Sequence, residues 1–116
     1  MMNQPLRILL ADDDEADRLL FKEALKDLKI KTSVHTVGDG VELMEYLKGK
    51  DLVLPELLFL DLNMPRKNGL ECLKEIKANP LYRDMSVVIY SASVSERDIE
   101  ETFINGANVY INKPSN

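Results

Sequence analysis

Apolar residues along this chain fall into two alternating kinds of segment. Compact runs occur at Leu6-Arg7-Ile8-Leu9-Leu10-Ala11, Leu57-Leu58-Phe59-Leu60 and Val87-Val88-Ile89-Tyr90, and the stretches between them space their apolar residues three or four apart. A short apolar run without helical spacing reads as a buried strand, and a three-to-four spacing reads as an amphipathic helix. The pattern predicts strands at about residues 6–11, 32–37, 56–60, 86–90 and 108–112. It predicts helices at about 14–28, 40–48, 69–78 and 95–105. Strict alternation of the two describes βα units on a parallel sheet.

Local signals sharpen the boundaries. The first helix carries Ala16, Leu19, Leu20, Ala24 and Leu28 at helical spacing, which marks them as its inward stripe. The second strand is β-branched but polar at alternate positions, as an edge strand would be. Asp39 can cap the second helix, and Gly49 ends it. Residues 50–55 form a connecting loop. Asn79-Pro80 stops the third helix. Ser93 and Glu96 have the spacing of a capping box ahead of the fourth, and Asn105-Gly106 closes it.

Composition narrows the class. A chain of 116 residues with 45% hydrophobic and 30% charged residues suits one soluble domain, residues 1–116. The net charge of −5 argues against nucleic acid or an anionic membrane as partner. No apolar stretch is long enough to span a bilayer, and Met1-Met2-Asn3-Gln4-Pro5 lacks the features of a signal peptide. A lone cysteine, Cys72, cannot form an internal disulfide, so a reducing, cytoplasmic setting is expected.

The chemistry lies at the ends of the strands. Asp12 and Asp13 follow the first strand and Asp61 follows the third, while Ser91 and Lys113 follow the fourth and fifth. Ligands of open α/β sheets bind outside the carboxyl ends of the strands, so all five would meet at one edge. Crowded carboxylates repel unless a cation holds them, and Mg²⁺ favours such oxygen ligands. An ionised aspartate is a competent nucleophile, and a transferred phosphoryl group needs positioned donors for its oxygens. A hydroxyl and an ammonium supply them. The backbone carbonyl at Asn63 could add a metal ligand.

With these segments in order, the chain resembles the receiver domain of two-component response regulators. The resemblance is carried by Asp12-Asp13, by Asp61-Leu62-Asn63-Met64-Pro65-Arg66-Lys67-Asn68-Gly69, by Ser91-Ala92 and by Tyr110-Ile111-Asn112-Lys113-Pro114. The Asp-Leu-Asn-Met-Pro stretch and the long region before the third strand look most like stand-alone bacterial receivers of the phytochrome-associated type. The family implies a flavodoxin-like, doubly wound α/β fold with five parallel strands in the order 2-1-3-4-5. It implies that Asp61 accepts a phosphoryl group from a sensor histidine kinase or a histidine phosphotransfer protein. Asp13, Asp61 and the Asn63 carbonyl would hold Mg²⁺, with Asp12 contributing through water. Ser91, Ala92 and Lys113 would bind phosphoryl oxygens. Tyr110 would be the aromatic switch that turns inward with Ser91, and Asn63 and Ser93 would tune the acyl-phosphate lifetime. Such a chain catalyses only its own phosphorylation and dephosphorylation, and signals to a downstream protein.

Each residue also has a plainer reading. Asp12, Asp13 and Asp14 could serve as a loop and helix cap, and Asp14 is expected to be only that. Lys113 alone would read as a surface lysine, Ser91 as a loop hydroxyl, and Tyr110 equally as static core. His35 reads as an exposed edge-strand residue, Cys72 as a packing residue, and Gly69 and Gly106 as turn and cap positions. Two other functions compete. One is a non-phosphorylated receiver-like scaffold. The other is a haloacid-dehalogenase-like phosphatase, which would need an aspartate where Asn63 stands. Receivers also carry a fifth helix, absent from this sequence. The fourth strand is apolar on both faces, so the expectation is that residues beyond Asn116, or another chain as in a dimer, supply that cover. Burying three or four such side chains would contribute roughly 5–10 kcal/mol.

Overall fold

The first apolar run forms β1 (Leu6–Ala11), which hydrogen-bonds on one side to β2 (Thr32–Val37) and on the other to β3 (Leu57–Leu60). β4 (Ser86–Ser91) and β5 (Val109–Asn112) follow, so that five parallel strands stand in the order β2-β1-β3-β4-β5. This computed structural model describes residues 4–49 and 52–114. Lys50 and Asp51 of the expected connecting loop lie outside the described residues, as do Ser115 and Asn116 at the end of the chain. Four helices connect the strands: α1 (Glu15–Lys26), α2 (Gly40–Leu47), α3 (Gly69–Ala78) and α4 (Glu96–Ile104). The expected strand order and α/β architecture are the observed ones, with β2 at an edge.

Alternation of side chains across the sheet divides the core in two. Leu9, Ala11, Leu58, Leu60, Val87 and Ile89 face α2 and α3, where they pack with Leu43, Met44, Leu47, Leu73 and Ile76. Each such fully buried aliphatic side chain contributes about 1.5–3 kcal/mol. Cys72 belongs to this layer. Its Sγ lies 3.6 Å from the Gly40 carbonyl oxygen, and burial pushes the thiol up to about 11, which makes it an inert packing residue.

The other face holds the main departure from expectation. None of the α1 residues is fully buried, and Leu19 and Leu20 are 59% and 65% exposed. The sheet instead receives Phe21, whose ring meets Phe59 edge-on at 4.8 Å and Tyr90 at 6.0 Å. The helix carries two apolar stripes, and the one with Phe21 and, a turn later, Leu25 is the half-buried one, because Phe21 meets the Phe59 and Tyr90 rings on the sheet. Leu28 falls beyond the helix, which ends at Lys26 with Asp27 as its C-cap. On the same face Val109 and Ile111 of β5 are exposed.

Caps fix where the helices begin. Asp14, Asp39 and Asn68 each accept a backbone N–H three residues on, and Asn68 with Glu71 forms a full capping box. The fourth helix corrects the sequence reading. Its N-cap is Ser95, which accepts from the Asp98 N–H, whereas the Ser93 hydroxyl donates to the Asp98 carboxylate. Ser95-Glu96-Arg97-Asp98 also has cap spacing, and it lies closer to the first helical residue.

Candidate functional site

Strand register brings the expected residues to one edge. Asp12 and Asp61 directly continue β1 and β3, and their backbone N–H groups extend the ladders to the Val37 and Ala11 carbonyls. Ser91 is the last residue of β4, opposite Asn112, and the Lys113 N–H bonds back to the Ser91 carbonyl at 2.8 Å. The sheet thus positions all four by hydrogen bonds that involve none of their side chains.

A second layer of order aims those side chains. One oxygen of each acid is tied to the backbone two residues on: Asp14 N–H donates to Asp12 Oδ1 at 3.0 Å, and Asn63 N–H donates to Asp61 Oδ1 at 3.1 Å. Ser93 N–H donates to Ser91 Oγ at 3.3 Å in the same manner. These short loops hold the chemical groups at the turn where each strand ends. The remaining acid oxygens turn to Lys113. Its Nζ lies 2.7 Å from Asp12 Oδ2, 2.9 Å from Asp17 Oδ2 and 3.0 Å from Asp61 Oδ2. The ring of Tyr90 lies beneath the ammonium, 5.5 Å from it.

The charges explain one another. Burial disfavours the Lys113 ammonium, yet its three carboxylate partners outweigh that and raise its pKa. Asp12 is fully buried, and burial raises its pKa even though Lys113 and the Asp14 N–H pull the other way. The Lys113–Asp12 contact lies off the hydrogen-bond axis, so Asp12 Oδ2 is buried without a directed donor. Asp12, Asp13 and Asp61 each bring a carboxylate oxygen within 4.8 Å of the others. Three carboxylates gathered this closely, two of them buried, make a set of hard oxygen donors that fits a small divalent cation.

The remaining candidates lie where the sequence placed them. Asn63 is exposed and follows Asp61 by two residues, so it offers an amide where a phosphatase of the rival class needs a carboxylate. Ala92 is exposed at the start of the β4–α4 loop. Tyr110 packs partly against the main core, and its hydroxyl donates to the Ser93 carbonyl at 2.8 Å. The Asn112 amide donates to the Ser91 and Ser93 carbonyls, so two β5 side chains hold that loop. His35 is exposed on the edge strand and stacks on Tyr46 at 4.2 Å.

Two participants escaped the sequence reading. Asp17, in the first turn of α1, binds Lys113, and Arg18 donates from Nη1 to the Asp12 carbonyl at 2.7 Å. A first-turn acid has an ordinary explanation in the helix dipole, so nothing local marks Asp17. Gly69 gained a role as well. A Cβ there would sit 2.2 Å from the Asp61 carbonyl oxygen, so the start of α3 can press against the end of β3 only because the residue is glycine. Beside this loop, Arg66 adopts φ 64° and its guanidinium donates twice to Asp39, tying the loop to the start of α2.

Parallel strands in this order, with acids, a hydroxyl and a lysine gathered at their carboxyl ends, are the arrangement of a signalling receiver. The chain belongs to the response regulator receiver domain family, whose model matches residues 8–116. Among its relatives, response regulator Rcp1 of Synechocystis sp. is 36% identical over 118 residues, covering 98% of this chain and 80% of the relative. Chemotaxis protein CheY-3 of Vibrio cholerae is 30% identical over 114 residues, covering 98% and 85%. Two solved structures superpose with a TM-score of 0.91: the phosphorylated cyanobacterial phytochrome response regulator RcpA, 39% identical, and the Mn²⁺-bound form of Rcp1, 36% identical. Each covers 97% of this chain, which spans 84% of the neighbour. The likeness to phytochrome-associated receivers seen in the Asp61–Gly69 segment is therefore a likeness of the whole fold.

Proposed function

We propose that Asp61 accepts a phosphoryl group from a phosphohistidine, in a sensor histidine kinase or a histidine phosphotransfer protein, and that the modified chain signals to a downstream protein. The observation that carries this reading is the division of labour at Asp61: Oδ1 is held by the Asn63 N–H, while Oδ2 sits 3.0 Å from Lys113. An Asp61 oxygen attacks phosphorus, the P–N bond to imidazole breaks, and the imidazole nitrogen leaves with the bonding pair. Lys113 and the Ser91 hydroxyl bind the phosphoryl oxygens, together with the backbone at Ala92. Asp12, Asp13, Asp61 and the Asn63 carbonyl would hold Mg²⁺, which when bound neutralises charge on the transferred group.

Ser91 also connects the site to the surface. Its hydroxyl is hydrogen-bonded by Ser93 N–H, and Ser93 carries the Tyr110 contact. A hydroxyl drawn to phosphoryl oxygens gives up that bond and shifts the β4–α4 loop, so Tyr110 and α4 report the change. The chain is the acceptor in this reaction and turns over no separate substrate.

Acetyl phosphate with Mg²⁺, followed by intact-mass measurement, tests the reading. The expected result is a gain of one phosphoryl group that disappears in Asp61→Asn and on chelation of Mg²⁺. Labelling that persists in Asp61→Asn would place the chemistry elsewhere.

A further inference from the structure

Lys113 has three N–H donors and three carboxylate neighbours, at Asp12, Asp17 and Asp61. Two of these, Asp12 and Asp61, belong to the group of oxygens that fits a divalent cation, and Asp17 does not. Asp17 also differs in its place. It stands on α1, its own N–H is held by the Asp14 cap, and its side chain is partly exposed at 35%. We propose that Asp17 is a positioning residue that holds the Lys113 ammonium when a divalent cation takes over its other two partners. The inference rests on the phosphoacceptor reading and extends it to a residue outside the expected set.

A bound cation and the Lys113 ammonium compete for the same carboxylates. A divalent ion on Asp12 and Asp61 takes the oxygens that Lys113 now uses, and it repels the ammonium. With Asp17 present, the ammonium keeps one full anion as partner and vacates the others more easily. Cation binding is therefore helped, both through Lys113 and through the added negative charge nearby. The second half of the cycle reverses the sign. A phosphoryl group on Asp61 needs Lys113 for its own oxygens, and Asp17 then competes with it. One carboxylate thus favours the metal-loaded resting state and opposes the phosphoryl-loaded state.

The test uses Asp17→Asn, which keeps the shape and removes the charge. Glu15→Gln serves as control, because it removes a charge from the same exposed first turn without touching an ion pair of Lys113. Mn²⁺ binding is read from the electron paramagnetic resonance of the free ion. Beryllofluoride binding at saturating Mg²⁺ is read from the amide resonances of Ser91 and Ser93. Asp17→Asn is expected to weaken Mn²⁺ binding by about three- to ten-fold and to tighten beryllofluoride binding by a similar factor. Glu15→Gln should move neither by more than about two-fold. Weakening of both ligands in Asp17→Asn, no change in either, or an equal effect in Glu15→Gln would overturn the proposal. Wild-type protein that binds neither probe would overturn the phosphoacceptor reading itself, and this inference with it.

Discussion

Replacing Lys113 with methionine is expected to cost the metal-free protein about 3–5 kcal/mol of unfolding free energy, the usual loss when one partner of a buried ion pair is removed. Whole domains are stable by only about 5–15 kcal/mol, so the variant would unfold at far lower urea. The magnitude follows from what remains behind. Asp12 is fully buried and Asp61 nearly so, and the ammonium is the cation that both contact. Mg²⁺ should return part of the loss, because a ligand that binds only the folded state stabilises it. Acid should return part of it too. Burial raises the pKa of Asp12 in the folded protein, so its protonation favours folding and the deficit shrinks as pH falls through that raised value. A loss under about 1 kcal/mol in urea titrations with chelator would reduce Lys113 to an ordinary surface pair.

The second large effect is expected at Gly69. An alanine Cβ would lie 2.2 Å from the Asp61 carbonyl oxygen and 2.8 Å from the Leu62 Cα, both backbone atoms that cannot rotate away. Either α3 or the end of β3 must move. Overpacking of this kind costs about 1–3 kcal/mol, occasionally more. The functional effect should be larger than the loss of stability implies. The nearer displaced atom belongs to Asp61, the proposed acceptor, and a misplacement of about 1 Å can cost about 100-fold in rate. Gly69→Ala is thus expected to remain folded at low temperature while acetyl phosphate labels it at least about ten-fold more slowly. Wild-type stability together with wild-type labelling would show that the close approach is not required.

The parts of this molecule that were readable in advance share a physical cause. A buried strand must be apolar, and the residue that leaves it can be charged, so Ala11-Asp12 and Leu60-Asp61 announce both the strand and its end. The caps at Asp14 and Asp39 were readable because a cap acts on a backbone group three residues away. Contacts between distant segments left no such trace. Asp17 meets Lys113 across 96 residues of sequence, and as a first-turn acid it already had a sufficient local explanation. The docking face of α1 is hidden from the sequence for a related reason. The helix has two apolar stripes, and only the position of Phe59 and Tyr90 on the sheet decides that Phe21 docks while Leu19 and Leu20 stay exposed. Gly69 read as a turn residue because its need, the approach of another backbone, belongs to the tertiary structure.

The convergence of Asp12, Asp13, Asp61 and Lys113 is most directly tested by a crystal structure of the protein with Mn²⁺ and beryllofluoride. The expected map has an anomalous manganese peak among the three aspartates, beryllium bonded to a carboxylate oxygen of Asp61, and Lys113 Nζ within hydrogen-bonding distance of a fluoride. Manganese outside that group, or beryllium on any other side chain, would contradict it.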